Sequence, residues 1–173
     1  GKNALFMLFL STMMIPWEVT IIPNYLAIKN WGWMDSYQGL IVPFMAGAFG
    51  VFLLRQFFLQ LPHELFDAAK MDGCGHFRQF VQIVLPLARP GLATLAVYVF
   101  LNHWNSYLWP LLITNRPEMR TVQIGVAMQQ HEEVMAWNLI LAGVTLALLP
   151  SFLLLAFGIK QLVQGITAGA IKG

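Results

Sequence analysis

Four apolar stretches alternate with short polar segments along this chain, and each is long enough to form a membrane-crossing helix. The first runs over 4–26 and carries one charge, Glu18. The second covers 39–59; it has no polar side chain as far as Leu54 and then passes Arg55. The third, 90–113, and the fourth, 136–159, hold no formally charged residue. About twenty residues at a rise of about 1.5 Å each cross the roughly 30 Å hydrocarbon core of a bilayer. Backbone N–H and C=O groups find no water there, so each stretch is expected to be helical. The pattern predicts an all-α fold, a polytopic bundle with four transmembrane spans. Pro16 and Pro23 in the first span, Pro43 in the second and Pro150 in the fourth are expected to kink it. Gly47 and Gly50, with Ala46 and Ala48, read as small residues for close helix packing.

Composition and charge sharpen this picture. Of 173 residues, 58% are hydrophobic and 10% charged, against about 25% charged in ordinary soluble domains. An even number of spans puts both ends on one face, together with the 60–89 connection. That face holds Lys2, Arg55, Lys70, Arg78, Arg89, Lys160 and Lys172, seven of the ten basic residues. Lys29, Arg116 and Arg120 fall on the other. The positive-inside rule therefore predicts that both termini and the 60–89 connection are cytoplasmic. A net charge of +2 without a basic cluster gives no case for nucleic acid. Cys74, the single cysteine, is expected to be a reduced thiol, with no activating set around it for catalysis. The chain opens with Gly-Lys-Asn and shows no signal-peptide pattern, and it reads as the C-terminal part of a longer polypeptide.

Of the outward connections, 27–38 carries Trp31, Trp33 and Tyr37, which suit the headgroup level as an aromatic belt. The other, 114–135, alternates apolar and polar positions around Val122, Ile124 and Val126 and ends in the pair Glu132 and Glu133. A surface-lying segment, a strand-like loop and a short helix all fit it.

The polar island at 62–86 is the most informative part of the chain. Pro62 suits a helix start, where its missing N–H is no loss. Glu64 and Asp67 put negative charge near the positive end of the helix dipole. Leu61, Leu65, Ala68 and Ala69 recur at helical spacing and give a small-residue apolar face. Gly73 and Gly75 flank Cys74 and end the helix, glycine accepting the left-handed cap conformation. A second short helix is expected to carry Phe77, Phe80, Val81 and Val84 before Pro86 and Pro90. Two short helices about a glycine turn make a projection that a soluble partner can hold in a groove.

The spacing inside the island carries a resemblance. Asp67-Ala68-Ala69, Gly73, Ile83 and Leu85-Pro86 stand at the intervals of the acidic-Ala-Ala, Gly and Ile-x-Leu-Pro coupling motif. In this the chain resembles permease subunits of bacterial ATP-binding-cassette importers. IIPNYLAI, GLIVPFMAGAFGVFLLRQFF, NHWNSYLWPLLIT and the terminal TAGAIKG look like the carbohydrate and glycerol-phosphate uptake branch, the maltose-permease-like group. Asp67 departs from the more frequent Glu by one methylene and keeps the charge. The resemblance implies a subunit that does no chemistry and binds no cofactor, ATP being used by a partner. Its implied partners are a pair of ATPase subunits, a second permease subunit (identical or a paralogue), an extracytoplasmic solute-binding protein and the lipid of the inner membrane. It implies that Glu64, Asp67, Ala68, Ala69, Gly73, Ile83, Leu85 and Pro86 form the ATPase-coupling site and that the 167–173 tail lies against the ATPase. Six spans are usual in that family, which implies two upstream.

A solute route is expected along the third span. At about 100° per residue, Tyr98, Asn102, Asn105, Ser106 and Trp109 gather within about 100° of one another. A polar stripe in a membrane faces protein or a water-filled cavity. Amides and aromatic rings suit hydroxylated solutes, although interhelical hydrogen bonding accounts for the same residues without a ligand. Glu18, the only carboxylate within an expected span, needs water, a partner or a proton. It reads either as a gate or as a structural pair.

The competing function is an ion- or proton-coupled secondary transporter using Glu18 and His103, which lacks the paired broken helices and inverted repeat that would support it. A membrane hydrolase using His63-Glu64 or His131-Glu132-Glu133 lacks the His-Glu-x-x-His spacing of a zinc site. No phosphate-binding Gly-rich loop ending in Lys-Ser/Thr is present, so ATP hydrolysis falls to another chain.

Overall fold

The structure, a computed structural model, describes residues 1–129 and 136–170, with side chains of the last helix described as far as Gly158. Among the described residues it is helical without strands. The elements are α1 (Lys2–Thr12), α2 (Trp17–Asn30), α3 (Tyr37–Phe44, its end a 3-10 turn), α4 (Ala48–Leu59), α5 (His63–Met71), α6 (His76–Leu87), α7 (Arg89–Trp104), α8 (Leu108–Ile113), α9 (Val122–Gln129) and α10 (Trp137–Ala170). A 3-10 turn at Pro117–Met119 precedes α9. The 114–135 connection, expected to face outward, thus holds a short helix, α9; Glu132 and Glu133 lie outside the described residues.

One described helix, α10, is long and apolar enough by itself to cross a bilayer, with a mean hydropathy of 2.4 over Trp137–Gly158. Pro150 stands inside it without interrupting it. Three further pairs of helices qualify only when each bent pair is counted as one span. The expected first span, 4–26, is one of them. It is two helices bent by 92°. Pro16 has no N–H to donate and disfavours helical geometry at the residue before it, so α2 starts after it. At the end of α1 the hydroxyls of Ser11 and Thr12 donate back to the carbonyls of Leu8 and Phe9 at 2.8 and 2.7 Å. Pro23, by contrast, lies within α2 and the helix continues through it. The expected second span is likewise broken, between α3 and α4, after the turn that holds Pro43.

The third span is corrected as well. The helix begun at Arg89 stops at Trp104 and resumes at Leu108. Pro110 is the cause we assign: in a continuous helix it would leave the Ser106 carbonyl without a donor and press its ring on it. At the break the Asn105 side chain donates to the Leu101 carbonyl at 2.8 Å and the Ser106 N–H to the His103 carbonyl at 3.2 Å. Pro110 then falls in the first turn of α8, where no N–H is missed.

The chain divides into two compact units. The first comprises Gly1–Ala48 and Phe100–Leu153. Its core is Ile28, Trp109 and Ile113, with Trp17, Ile21, Tyr25, Trp33, Met34, Leu40 and Phe44 packed around them. Trp17, Phe44 and Trp109 meet pairwise with ring centroids 5.5–5.9 Å apart, within the range of favourable aromatic contacts. Ser36 caps α3 by accepting from the Gly39 N–H at 3.2 Å. The 27–38 connection is tied to the 114–135 connection by Asp35. Its carboxylate accepts from the backbone N–H groups of Asn115 and Arg116, while its own N–H donates to the Ile113 carbonyl at 2.9 Å. These donors hold the Asp35 carboxyl below the usual carboxylate range, Arg116 N–H first and Asn115 N–H next. Trp104 donates its indole N–H to the Ala147 carbonyl at 2.9 Å, and its carbonyl accepts from Gln123 of α9 at 3.2 Å.

The second unit comprises Phe49–Val99 and Leu154–Gly173. Here glycines set helix approach: a Cβ on Gly91 would fall 2.6 Å from the Phe57 ring, and one on Gly158 would fall 3.0 Å from Val97. A groove of about 230 Å³ lies along Ala93, Val97, Leu154, Phe157 and Gly158. Its lining side chains are all apolar, so it offers nothing to a hydroxylated solute.

Candidate functional site

The motif segment lies in the second unit. Pro62 is the residue before α5 rather than its first, with φ −60° and ψ 133°. Glu64 and Asp67 are exposed, and Asp67 accepts from Lys70 at 3.0 Å. That pair is three residues apart and open to water, so it contributes little. The Ala-Ala step is divided by the helix: Ala69 is 8% exposed, whereas Ala68 is open.

The turn is built on Gly73. Asp72, Gly73 and Cys74 donate their N–H groups to the carbonyls of Ala68, Lys70 and Ala69 at 3.1, 3.0 and 2.9 Å. Gly73 stands at φ +72°, a conformation glycine adopts at little cost and other L-residues resist. Gly75 then precedes α6, which it cannot cap with a side chain. Gln79 enters here, and the sequence reading missed it. It is buried, and its Nε2 donates to the Cys74 carbonyl at 2.8 Å.

The middle of α6, Phe80–Val84, is π-helical, with the Leu85 N–H reaching back to the Phe80 carbonyl. Pro86 supplies no N–H, and a widened turn spares the preceding carbonyls a clash with its ring. Ile83, Leu85 and Pro86 of the motif are half-buried there. Met71 at 89% exposure and Phe77 at 80% are the most open large apolar side chains of the segment, with Leu65, Phe80 and Val81 also exposed. The arrangement is two helices about a glycine turn, with Met71 and Phe77 left open.

The polar residues of the expected third span are rearranged by the break at 105–107. Asn102 and Tyr98 are exposed positions of α7, and the Tyr98 ring lies 4.2 Å from that of Phe49. Asn105 is exposed and Ser106 half-buried, both in the break itself. Trp109 does not extend their stripe. It is 2% exposed and donates its indole N–H to the Gly39 carbonyl at 3.1 Å. Pro110 was the sequence signal for this, since it makes the single-helix projection fail beyond Trp104. Glu18 lies in the first turn of α2, exposed, at the bend rather than in mid-helix. His103 meets the Phe44 ring at 5.0 Å. No group of three or more His, Cys, Asp or Glu side chains suited to a metal occurs among the described residues. The tail expected against the ATPase runs from the last turn of α10, at Thr167, into 171–173, outside the described residues.

Comparison with known proteins gives the same direction. The family of binding-protein-dependent transport system inner membrane components matches residues 1–168. The arabinooligosaccharides transport system permease protein AraQ of Bacillus subtilis is 36% identical over all 173 residues, which cover 62% of its own length. The sn-glycerol-3-phosphate transport system permease protein UgpE of Yersinia enterocolitica is 41% identical over 167 residues, 95% of this chain and 59% of its own. The UgpE protein of Brucella melitensis is 39% identical over 163 residues, 93% of this chain and 58% of its own. The chain thus spans about three fifths of the length of the curated relatives it matches. With the match running across nearly every residue, this chain belongs to the family of binding-protein-dependent transport system inner membrane components.

Proposed function

We propose that this chain forms part of the membrane pathway of an ATP-driven, binding-protein-dependent importer for a sugar or a related polyol or sugar phosphate. The single observation that carries the reading is the glycine-centred turn. Gly73 takes φ +72° at the position the motif spacing assigns to it, between helices whose large apolar side chains lie open. The solute class comes from the names of the relatives, an arabinooligosaccharide permease and two sn-glycerol-3-phosphate permeases.

In this reading the chain crosses the membrane four times, by α1 with α2, by α3 with α4, by α7 with α8, and by α10. By length and apolarity it is α6 with α7, rather than α7 with α8, that qualifies as one span, and that pair is bent by 70°. Such a bend turns α6 away from the axis of α7 and toward the membrane surface, which favours the coupling role for α6. Both ends of the described chain and the 62–86 segment are cytoplasmic by the distribution of basic residues. Glu64, Asp67, Ala68, Ala69, Gly73, Ile83, Leu85 and Pro86 form the segment that a pair of ATPase subunits grips. Ala69 acts through packing, and Met71 and Phe77 add apolar contact. A second permease subunit and an extracytoplasmic solute-binding protein complete the importer, and this chain binds no cofactor itself. Tyr98, Asn102, Asn105 and Ser106 supply polar lining, and Glu18 sits at the bend of the first span. Nucleotide-driven closure of the ATPase pair displaces the segment and rocks the spans between inward- and outward-open arrangements.

The test is uptake by the assembled importer in vesicles with its binding protein, using sn-glycerol 3-phosphate and an arabino-oligosaccharide as probes. Gly73→Val is expected to keep hydrolysing ATP and to lose uptake. Unchanged uptake in that variant contradicts the reading.

A further inference from the structure

The coupling segment carries one buried polar side chain, and it belongs neither to the motif nor to the uncovered face. Gln79 is 5% exposed, and its amide Nε2 donates to the carbonyl of Cys74 at 2.8 Å. The turn that this bond crosses is otherwise held by backbone hydrogen bonds. A Cβ at Gly73 or at Gly75 would meet nothing within 4 Å, so no close approach pins the chain at either glycine. Glycine leaves both backbone torsions wide freedom, and Gly75 has no side chain with which to cap α6. The bonds from Asp72, Gly73 and Cys74 back to Ala68, Lys70 and Ala69 fasten the turn to α5. On the α6 side the Gln79 N–H continues the helix by donating to the Gly75 carbonyl at 3.0 Å. The Gln79 side chain alone bonds from α6 past Gly75 to the carbonyl of Cys74.

We propose that Gln79 is a positioning residue of the coupling segment: its amide locks α6 to the Gly73 turn, so that α5 and α6 transmit force as one body. The inference rests on the coupling reading given above. Without the amide donor the turn becomes a hinge, and movement imposed on α5 is absorbed at Gly73 and Gly75 instead of reaching α6 and the span that follows. Gln79 touches neither ATP nor solute in this account, so its loss shows in the yield of transport per ATP.

The experiment uses the assembled importer in vesicles, with whichever of sn-glycerol 3-phosphate and an arabino-oligosaccharide the unaltered importer carries as probe. Uptake per ATP hydrolysed is measured for Gln79→Leu, Gln79→Glu and Gly73→Val, each against the unaltered importer at the same pH. Gln79→Leu keeps the size and removes the donor, and the ratio is expected to fall about five- to tenfold, the population change that one such hydrogen bond controls. Gln79→Glu is expected to be equally poor at neutral pH. It should recover as the cytoplasmic-side pH falls and the carboxyl takes up the proton that makes it a donor, a response a merely space-filling residue does not give. If Gln79→Leu fails to assemble, the pH profile of Gln79→Glu decides, and a flat profile overturns the proposal. If Gly73→Val loses the ratio while both Gln79 variants keep it, the positioning role is wrong and the coupling reading stands. If all three keep it, the coupling reading fails and the proposal falls with it.

Discussion

The indole nitrogen of Trp109 donates to the carbonyl of Gly39 at 3.1 Å, joining the start of α8 to α3 inside the first unit. The two residues depend on each other. Gly39 is buried, and any Cβ there would run into the Trp33 carbonyl oxygen while pressing Ile28 and Ile113. Only a residue without a side chain lets α3 lie close enough for Trp109 to find its acceptor. A buried indole N–H needs one.

Trp109→Phe therefore removes a donor and leaves a buried carbonyl unpaired, at a cost of about 1–3 kcal/mol. The expected outcome is a lower thermal midpoint for the purified protein with uptake retained. Loss of uptake at unchanged stability would return Trp109 to the solute route. Gly39→Ala should be more severe, because the clash is with backbone that cannot rotate away.

Asp35 gives a pH signature. Its carboxyl is held below the ordinary value by the N–H groups of Arg116 and Asn115. A depressed folded-state value means that the stabilisation is fully present above the unfolded value of about 3.9 and is lost as pH falls through the depressed one. The midpoint difference between the unaltered protein and Asp35→Asn should be constant above about pH 4 and shrink in stronger acid. Asn is the right probe because Asp35 stands at φ +51°, which Asn tolerates better than most. A difference that grows in acid would contradict the assignment.

Gly91 is the close-approach glycine of the second unit. Alanine there must displace the Phe57 ring, and overpacking of this kind costs about 1–3 kcal/mol. Gly91→Ala is expected to lower the thermal midpoint, and Phe57→Leu on the same background to restore part of it. Absence of any rescue would show that the ring is not the obstacle.

Asn105 lies exposed in the break between α7 and α8. If the break lines a water-filled route, Asn105→Cys on a Cys74→Ser background should react with a membrane-impermeant maleimide, and added solute should slow the reaction. Labelling that solute leaves unchanged would confine Asn105 to a structural role.

How much of this was legible in the sequence differs from place to place. Gly73 could be read because a left-handed turn needs glycine whatever surrounds it, and its φ of +72° follows. The long helix α10 could be read because uniform apolarity over 137–158 overrides the single Pro150. The bend at Pro16 was expected as a kink, but its 92° size is not set by the proline alone. The solute stripe over 98–109 failed at its far end. A helical projection assumes an unbroken helix, and Pro110 with the back-bonding Asn105 ends that assumption. Gln79 was invisible for a different reason. A polar residue on an amphipathic segment reads as solvent-facing, and only the folded turn brings the Cys74 carbonyl within its reach. Ala68 and Ala69 looked equivalent for the same reason, until the helix buried one and left the other open.

The central claim is that the glycine-turn segment is held by an ATPase subunit, and cross-linking from its most open large apolar residue tests it most directly. Met71 is 89% exposed at the end of α5, whereas Ala69 is too buried to report on a partner. With Cys74→Ser removing the sole native cysteine, Met71→Cys in the assembled importer should form a disulfide or short maleimide adduct with a cysteine placed in the ATPase subunit. Its yield should change between nucleotide-free and ATP-bound states. No adduct in either state, with the importer assembled and inserted, would contradict the account.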